Sequence, residues 1–109
     1  MSEIEMDVQF AALLELSRKP CIPLAPKNAY SKVLDKNGNW VAIHEWHWSG
    51  SDVCGGFVAF DTPEARAITT PQAPKWTVES WDPLTLSPSL LCRSCGNHGF
   101  IRQGRWESC

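Results

Sequence analysis

The sequence has no apolar run near the roughly 20 residues a membrane-crossing helix needs, which excludes a helical membrane anchor within it. It also lacks an excess of either charge. Ten Lys and Arg stand against twelve Asp and Glu, for a net charge of −2, so wholesale nucleic-acid binding through charge is not favoured and only a local basic face could serve it. Met1-Ser2-Glu3-Ile4-Glu5 has neither the basic start nor the apolar centre of a secretion signal. The expected location is therefore the cytoplasm of a host cell, or a virion, with no membrane partner. Repeats and low-complexity tracts are missing too. An even cysteine count is likewise absent: five cysteines would leave one unpaired in a disulfide framework, so in a reducing compartment they read as metal ligands or buried thiols.

What is present describes one small globular domain. The 109 residues are 43% hydrophobic and 20% charged, which separates the chain from disordered sequences. Six Trp in this length are many. Each is large and carries an N–H that wants a partner, so several are expected half-buried or at a contact surface.

Residues 3 to 18 carry helical spacing. Ser2 and Glu5 stand as a capping box, and Met6, Phe10, Leu13, Leu14 and Ser17 recur near 3.6 residues. Pro20, Pro23 and Pro26 then hold the chain extended, so residues 1–29 read as a helix with a proline-rich lead and 30–109 as a β domain. From Tyr30 the period becomes two, and a hairpin is predicted to close at Asn37-Gly38. In its second arm Trp40, Ala42, His44 and Trp46 share one face, and Val41, Ile43, Glu45 and His47 the other. Further strands are expected at Phe57–Phe60, Trp76–Trp81, Leu84–Leu86 and in a last hairpin turning at Gln103-Gly104, with one helical turn at Pro63–Ala67. The predicted class is mainly β or α+β: a small metal-stapled antiparallel domain with one N-terminal helix.

Cys92-Arg93-Ser94-Cys95-Gly96-Asn97-His98 is the most informative stretch. Two cysteines two residues apart aim both sulfurs at one ion when the chain turns tightly, and a following Gly relieves the turn. His98 adds a nitrogen three residues on. Thiolate with imidazole suits Zn²⁺, which takes four tetrahedral ligands. A knuckle of this kind needs remote ligands. Cys54, before Gly55-Gly56, is the natural sulfur, and His44 or His47 the natural nitrogen; being on opposite faces of a strand, the two cannot both serve, and His44 is preferred. The expected set is thus Cys54, Cys92, Cys95, His98 and His44, with Cys92 and the upstream histidines competing for the last place.

Other chemistries fit less well. Gly96 stands where c-type haem attachment requires His, and a β-hairpin follows the cysteines where a thioredoxin-like site needs a helix. His44-Glu45-Trp46-His47 lacks the H-E-x-x-H spacing of a zincin. Arg93, Arg102 and Arg105 with Phe100 and Trp106 read as hairpin residues before they read as a phosphate grip.

The run Asp82-Pro83-Leu84-Thr85-Leu86-Ser87-Pro88-Ser89-Leu90, then Cys95-x-x-His98 and Phe100-Ile101-Arg102-Gln103-Gly104-Arg105-Trp106, resembles a family of small uncharacterised proteins of bacteriophages and bacteria, with the hallmark SLSPS…CxxH…IRxG. His44 and Cys54-Gly55-Gly56 resemble its upstream pattern loosely. The resemblance runs from about Trp40 to Trp106 and implies a zinc-stabilised β domain, with Cys95 and His98 as its firmest ligands. Some bacterial relatives sit near ubiquitin-like conjugation genes, which implies protein binding. On this basis the expected function is a non-enzymatic, zinc-stabilised, phage-type accessory protein that binds a host or phage protein partner through Phe10, Leu13, Leu14 and Trp48. The alternatives are a zinc-dependent hydrolase or peptidase, or a virion component.

Overall fold

The computed structural model describes residues 4–16 and 20–109. In chain order its elements are α1 (Val8–Glu15), β1 (Ile22–Ala25), β2 (Asn28–Leu34), β3 (Trp40–Trp48), β4 (Val53–Phe60), α2 (Pro63–Arg66), β5 (Lys75–Trp81), β6 (Leu84–Ser87), β7 (Leu90–Leu91), β8 (His98–Arg102) and β9 (Arg105–Ser108). The first six strands make one sheet and the last three a second, each in sequence order. All pairings are antiparallel except β4–β5, which is parallel and limited to Ala59 with Lys75 and Phe60 with Trp76. This is the small β-rich domain that the period-two patterning predicts.

Local chemistry explains the elements. The β2–β3 hairpin turns at Gly38, whose φ of +85° is easy only for glycine. Asp35 fixes the turn, accepting from the N–H groups of Asn37 at 2.8 Å and Asn39 at 2.9 Å. The bonds from Asn39 hold the Asp35 carboxyl below the usual carboxylate range. Helix α1 is shorter than the pattern suggests. Its cap is Asp7, whose carboxylate accepts from the N–H groups of Gln9 and Phe10, while the Asp7 N–H donates to the Pro26 carbonyl at 2.8 Å. Ser2, Ser17 and both ends of the expected helix lie outside the described residues. The proline-rich lead contains β1, which pairs with β2 through Ile22–Tyr30 and Pro23–Ala29. Proline is tolerated there because β1 is an edge strand.

The larger sheet is covered on both faces. On one, Val41, Ile43, Val58 and Phe60 cluster with Leu84 and Leu86 of the sheet's own last strand and with Leu90 and Ile101 of the second sheet. Each such side chain contributes about 1.5–3 kcal/mol. On the other, Phe10 and Leu14 of α1 close over Ala29, with Trp46 and Trp48 packed alongside. Phe10 and Leu14, expected as a handle for a partner, are therefore core residues, 0% and 4% exposed, because α1 finds its own sheet first. Leu13 is 40% exposed and Trp48 half-buried.

Two features seat the second sheet. Gly99 lets Trp106 lie across β8: a Cβ there would stand 2.5 Å from the Glu107 carbonyl oxygen and 2.6 Å from the indole. The Gln103-Gly104 turn docks on β6, with Gly104 N–H donating to the Leu84 carbonyl at 2.9 Å and Gln103 N–H to Thr85 Oγ1 at 3.0 Å.

Candidate functional site

Strand alternation assembles a cluster between the two sheets. Glu45 and His47 lie on the face of β3 that carries Val41 and Ile43, and the β3–β4 register sets Cys54 opposite His47. After β7 the chain doubles back. Cys92 N–H donates to the Asn97 carbonyl and Gly96 N–H to the Cys92 carbonyl, both at 2.8 Å, with Gly96 at φ +79°. This tight knuckle returns Cys95 to the sheet, where its Sγ is 3.1 Å from His47 Nε2. One donor atom each from His47, Cys54, Cys92 and Cys95 lies within 4.8 Å of all the others.

The set could hold a metal ion. Three sulfurs and one imidazole nitrogen are the number and kind of donors a tetrahedral ion takes, whose ligand-to-ligand edges are about 3.8 Å for Zn–S bonds near 2.3 Å. Glu45 completes the arrangement, with its carboxylate oxygens 2.8 and 3.0 Å from His47 Nδ1. That bond directs Nε2 at the sulfurs, the carboxylate–histidine device that orients metal-ligating imidazoles.

The electrostatics follow. The Glu45 hydrogen bond raises the His47 pKa to about 9, against burial, with Cys95 and Cys92 adding to the rise. Burial pushes the Cys92 thiol up, but the backbone N–H groups of Cys95 and Ser94 outweigh it and bring the pKa down to about 7. Burial and the two neighbouring sulfurs push Cys54 up. Without an ion, then, His47 holds the proton that an incoming cation must displace.

The predicted ligands divide. Cys54, Cys92 and Cys95 come together; His44 and His98 do not join them. His44 lies on the opposite face of β3, its ring 5.6 Å from those of both Trp46 and Phe57. The histidine that reaches the cluster is His47, because β3 turns that face toward the second sheet. His98 opens β8 on the face away from buried Gly99 and Ile101, and is exposed. Its Nε2 is 2.8 Å from Ser89 Oγ. Cys21 packs beside the α1 cluster and Cys109 is exposed.

The Ser89–His98 pair was not anticipated from sequence, although both residues stand in the motif that carries the resemblance. The signal is a Ser just before a short strand and a His opening the strand that pairs with it, as Leu91 pairs with His98. Trp76 Nε1 donates to the Ser89 carbonyl at 3.2 Å and fixes its backbone. Cys92 and Cys95 lie between Ser89 and His98 in sequence, so the knuckle joins the two halves of the pair. A serine hydroxyl against an exposed imidazole is the arrangement that activates a nucleophile.

At the basic end, the Arg102 guanidinium lies 3.9 Å over the Phe100 ring and 3.4 Å from Glu107, in keeping with an ordinary hairpin surface. Among the described residues no helix is long and apolar enough to cross a membrane.

Comparison with curated proteins and with solved structures gave no significant match. Residues 35–109 match the model of a protein family described as bacterial ubiquitination-like system serine protease (BubE). That description overturns the expectation of a non-enzymatic accessory protein and favours the hydrolase alternative. It also supports the bacterial side of the resemblance, without a bacteriophage attribution.

Proposed function

Because the chain belongs to the BubE family of bacterial ubiquitination-like system serine proteases, we propose that it is a serine hydrolase of peptide bonds, with Ser89 the nucleophile and His98 the general base. The observation that carries this reading is the 2.8 Å contact between Ser89 Oγ and His98 Nε2 at an exposed position. His98 removes the hydroxyl proton as Ser89 Oγ attacks the scissile carbonyl. It returns that proton to the departing amine, leaving an acyl-enzyme. Water, deprotonated by the same imidazole, then releases the acid and regenerates Ser89. The substrate in this reading is a protein of a ubiquitination-like system.

The metal in this reading is Zn²⁺, and its role is structural. His47, Cys54, Cys92 and Cys95 would fill a tetrahedral shell, so the ion holds the knuckle between Ser89 and His98 and takes no part in bond cleavage. This replaces the zinc-dependent hydrolysis considered from sequence with serine chemistry on a zinc-held loop.

An alkyl fluorophosphonate, which phosphonylates activated serines, tests the reading. Ser89 is expected to carry the adduct by peptide mass spectrometry, with labelling lost in Ser89→Ala and reduced at least a hundredfold in His98→Ala. Labelling of another serine, or of none in metal-replete protein, would sink the assignment.

A further inference from the structure

Among the described residues, two strand edges that carry no further strand face a common cleft. β5 joins β4 only from Ala59 onward, so among the described residues the β5-side edge of Val53–Val58 has no strand on it. β7 is the outer strand of the second sheet and, among the described residues, pairs with β8 alone. A cleft of about 200 Å³ lies between them, with Gly56 and Phe57 on one wall and Leu90, Leu91 and Cys92 on the other. Ser89 is the residue immediately before the β7 wall, and Trp76, which holds the Ser89 carbonyl, also lines the cleft.

From this geometry we infer that the cleft is the substrate groove: an extended peptide adds to the free edge of β7 as a further strand, passes Gly56, and presents a main-chain carbonyl to Ser89. The inference rests on the serine-hydrolase reading. Three features argue for a peptide main chain as the occupant. A strand edge offers its unused N–H and C=O groups in the spacing of another extended chain. Gly56 sits opposite Glu45 in the β3–β4 register, so its missing side chain leaves open the face turned to the second sheet. And the β7 edge runs directly into Ser89, so docking and chemistry share one segment.

The two glycines of the wall differ in a way that gives the test. Gly55 is constrained, since a Cβ there would lie 2.7 Å from the Trp46 ring. A Cβ at Gly56 meets no atom within 4 Å. A Cβ at Gly56 therefore enters the groove without a clash, and Val would fill more of it.

Wild type, Gly56→Ala and Gly56→Val, each with its metal content measured, would be given a proteome-derived peptide library and, separately, the alkyl fluorophosphonate. New amino termini in the library report cleavage. The small phosphonate needs Ser89 but not the groove. Gly56→Val is expected to cut peptide cleavage at least tenfold, Gly56→Ala less, with Ser89 labelling within about twofold of wild type. Unchanged peptide cleavage in both variants, or no cleavage by a wild type that labels normally, would overturn the groove. Labelling that falls in step with cleavage would overturn it too, since Gly56 would then act on the Ser–His pair. A wild type that does not label at all would fail the serine-hydrolase reading first, a separate and recognisable result.

Discussion

Glu45 shows how much a residue outside the ligand set can decide. Its carboxylate touches no sulfur, yet it fixes the ring of His47 and the nitrogen that faces the cluster. Glu45→Gln keeps the shape of the side chain and removes its charge, so the imidazole loses its strongest orienting partner. The expected result is a 10- to 100-fold fall in zinc affinity, measured by competition with a chromophoric chelator, while the fold persists. Undiminished affinity would mean that the Glu45 bond does not orient a ligand. The choice between His44 and His47 belongs to the same scale. Both are neighbours of Glu45 and both are plausible on spacing alone. What separates them is which face of β3 meets the knuckle, and that is decided by residues more than forty positions away. No local pattern around residues 44–47 contains the answer.

The knuckle after β7 carries two of the four clustered donor atoms, and the titration of His47, which faces it from β3, has a defined sign. In the ion-free chain His47 has its pKa raised to about 9, so its bond to Glu45 stabilises the fold fully below the ordinary value near 6.5 and is lost as pH rises through 9. Metal binding runs the other way, because the ion needs His47 neutral and the thiols ionised. Zinc affinity is therefore expected to climb at least tenfold per pH unit between 7 and 9, measured by chelator competition, with protons released on binding. An affinity flat over that range would contradict the protonated His47. Chelation at constant pH is expected to abolish Ser89 labelling, and Co²⁺ to restore it, because in the proposed reading the ion would order the loop between the pair without reacting itself.

At this same scale the sequence was unevenly legible. The β2–β3 hairpin could be read because Asn37-Gly38 supplies the positive φ its turn requires and the period changes to two around it. The Cys92–Cys95 pair could be read because its spacing is fixed by the tight turn. β1 could not, because Pro20, Pro23 and Pro26 look like a connector until an edge position excuses them. The Ser89–His98 pair stayed hidden for another reason: a histidine three residues after Cys95 has metal-ligand spacing, and only the β7–β8 pairing turns it away from the sulfurs toward Ser89.

For the molecule as a whole, the larger sheet is a partition with α1 on one side and the chemistry on the other. Phe10 is wholly buried on the α1 side, and Trp46, from the strand that also carries His47, packs with it. Phe10→Ala is expected to cost about 3–5 kcal/mol of stability through the cavity it leaves. Below the lowered melting transition, Ser89 labelling should remain near wild type, because the Ser–His pair sits across the partition. Loss of labelling in fully folded Phe10→Ala protein would show that the two sides communicate. An apolar helical stripe beside a proline-rich lead is compatible with docking in cis or in trans, and Ala29 with Trp46 and Trp48 shows where it docks in cis.

His47 and Cys95 are 48 positions apart, and nothing in the chain between them brings them together except the folded state itself. An ion held by both acts as a cross-link. Closing a loop of that length removes about 4 kcal/mol of freedom from the unfolded chain in the chain-entropy account of disulfides. A disulfide of equal span would be undone by cellular thiols, whereas a thiolate-bound ion persists where cysteines stay reduced. An ion bound there would give the domain the benefit of a covalent staple without a disulfide.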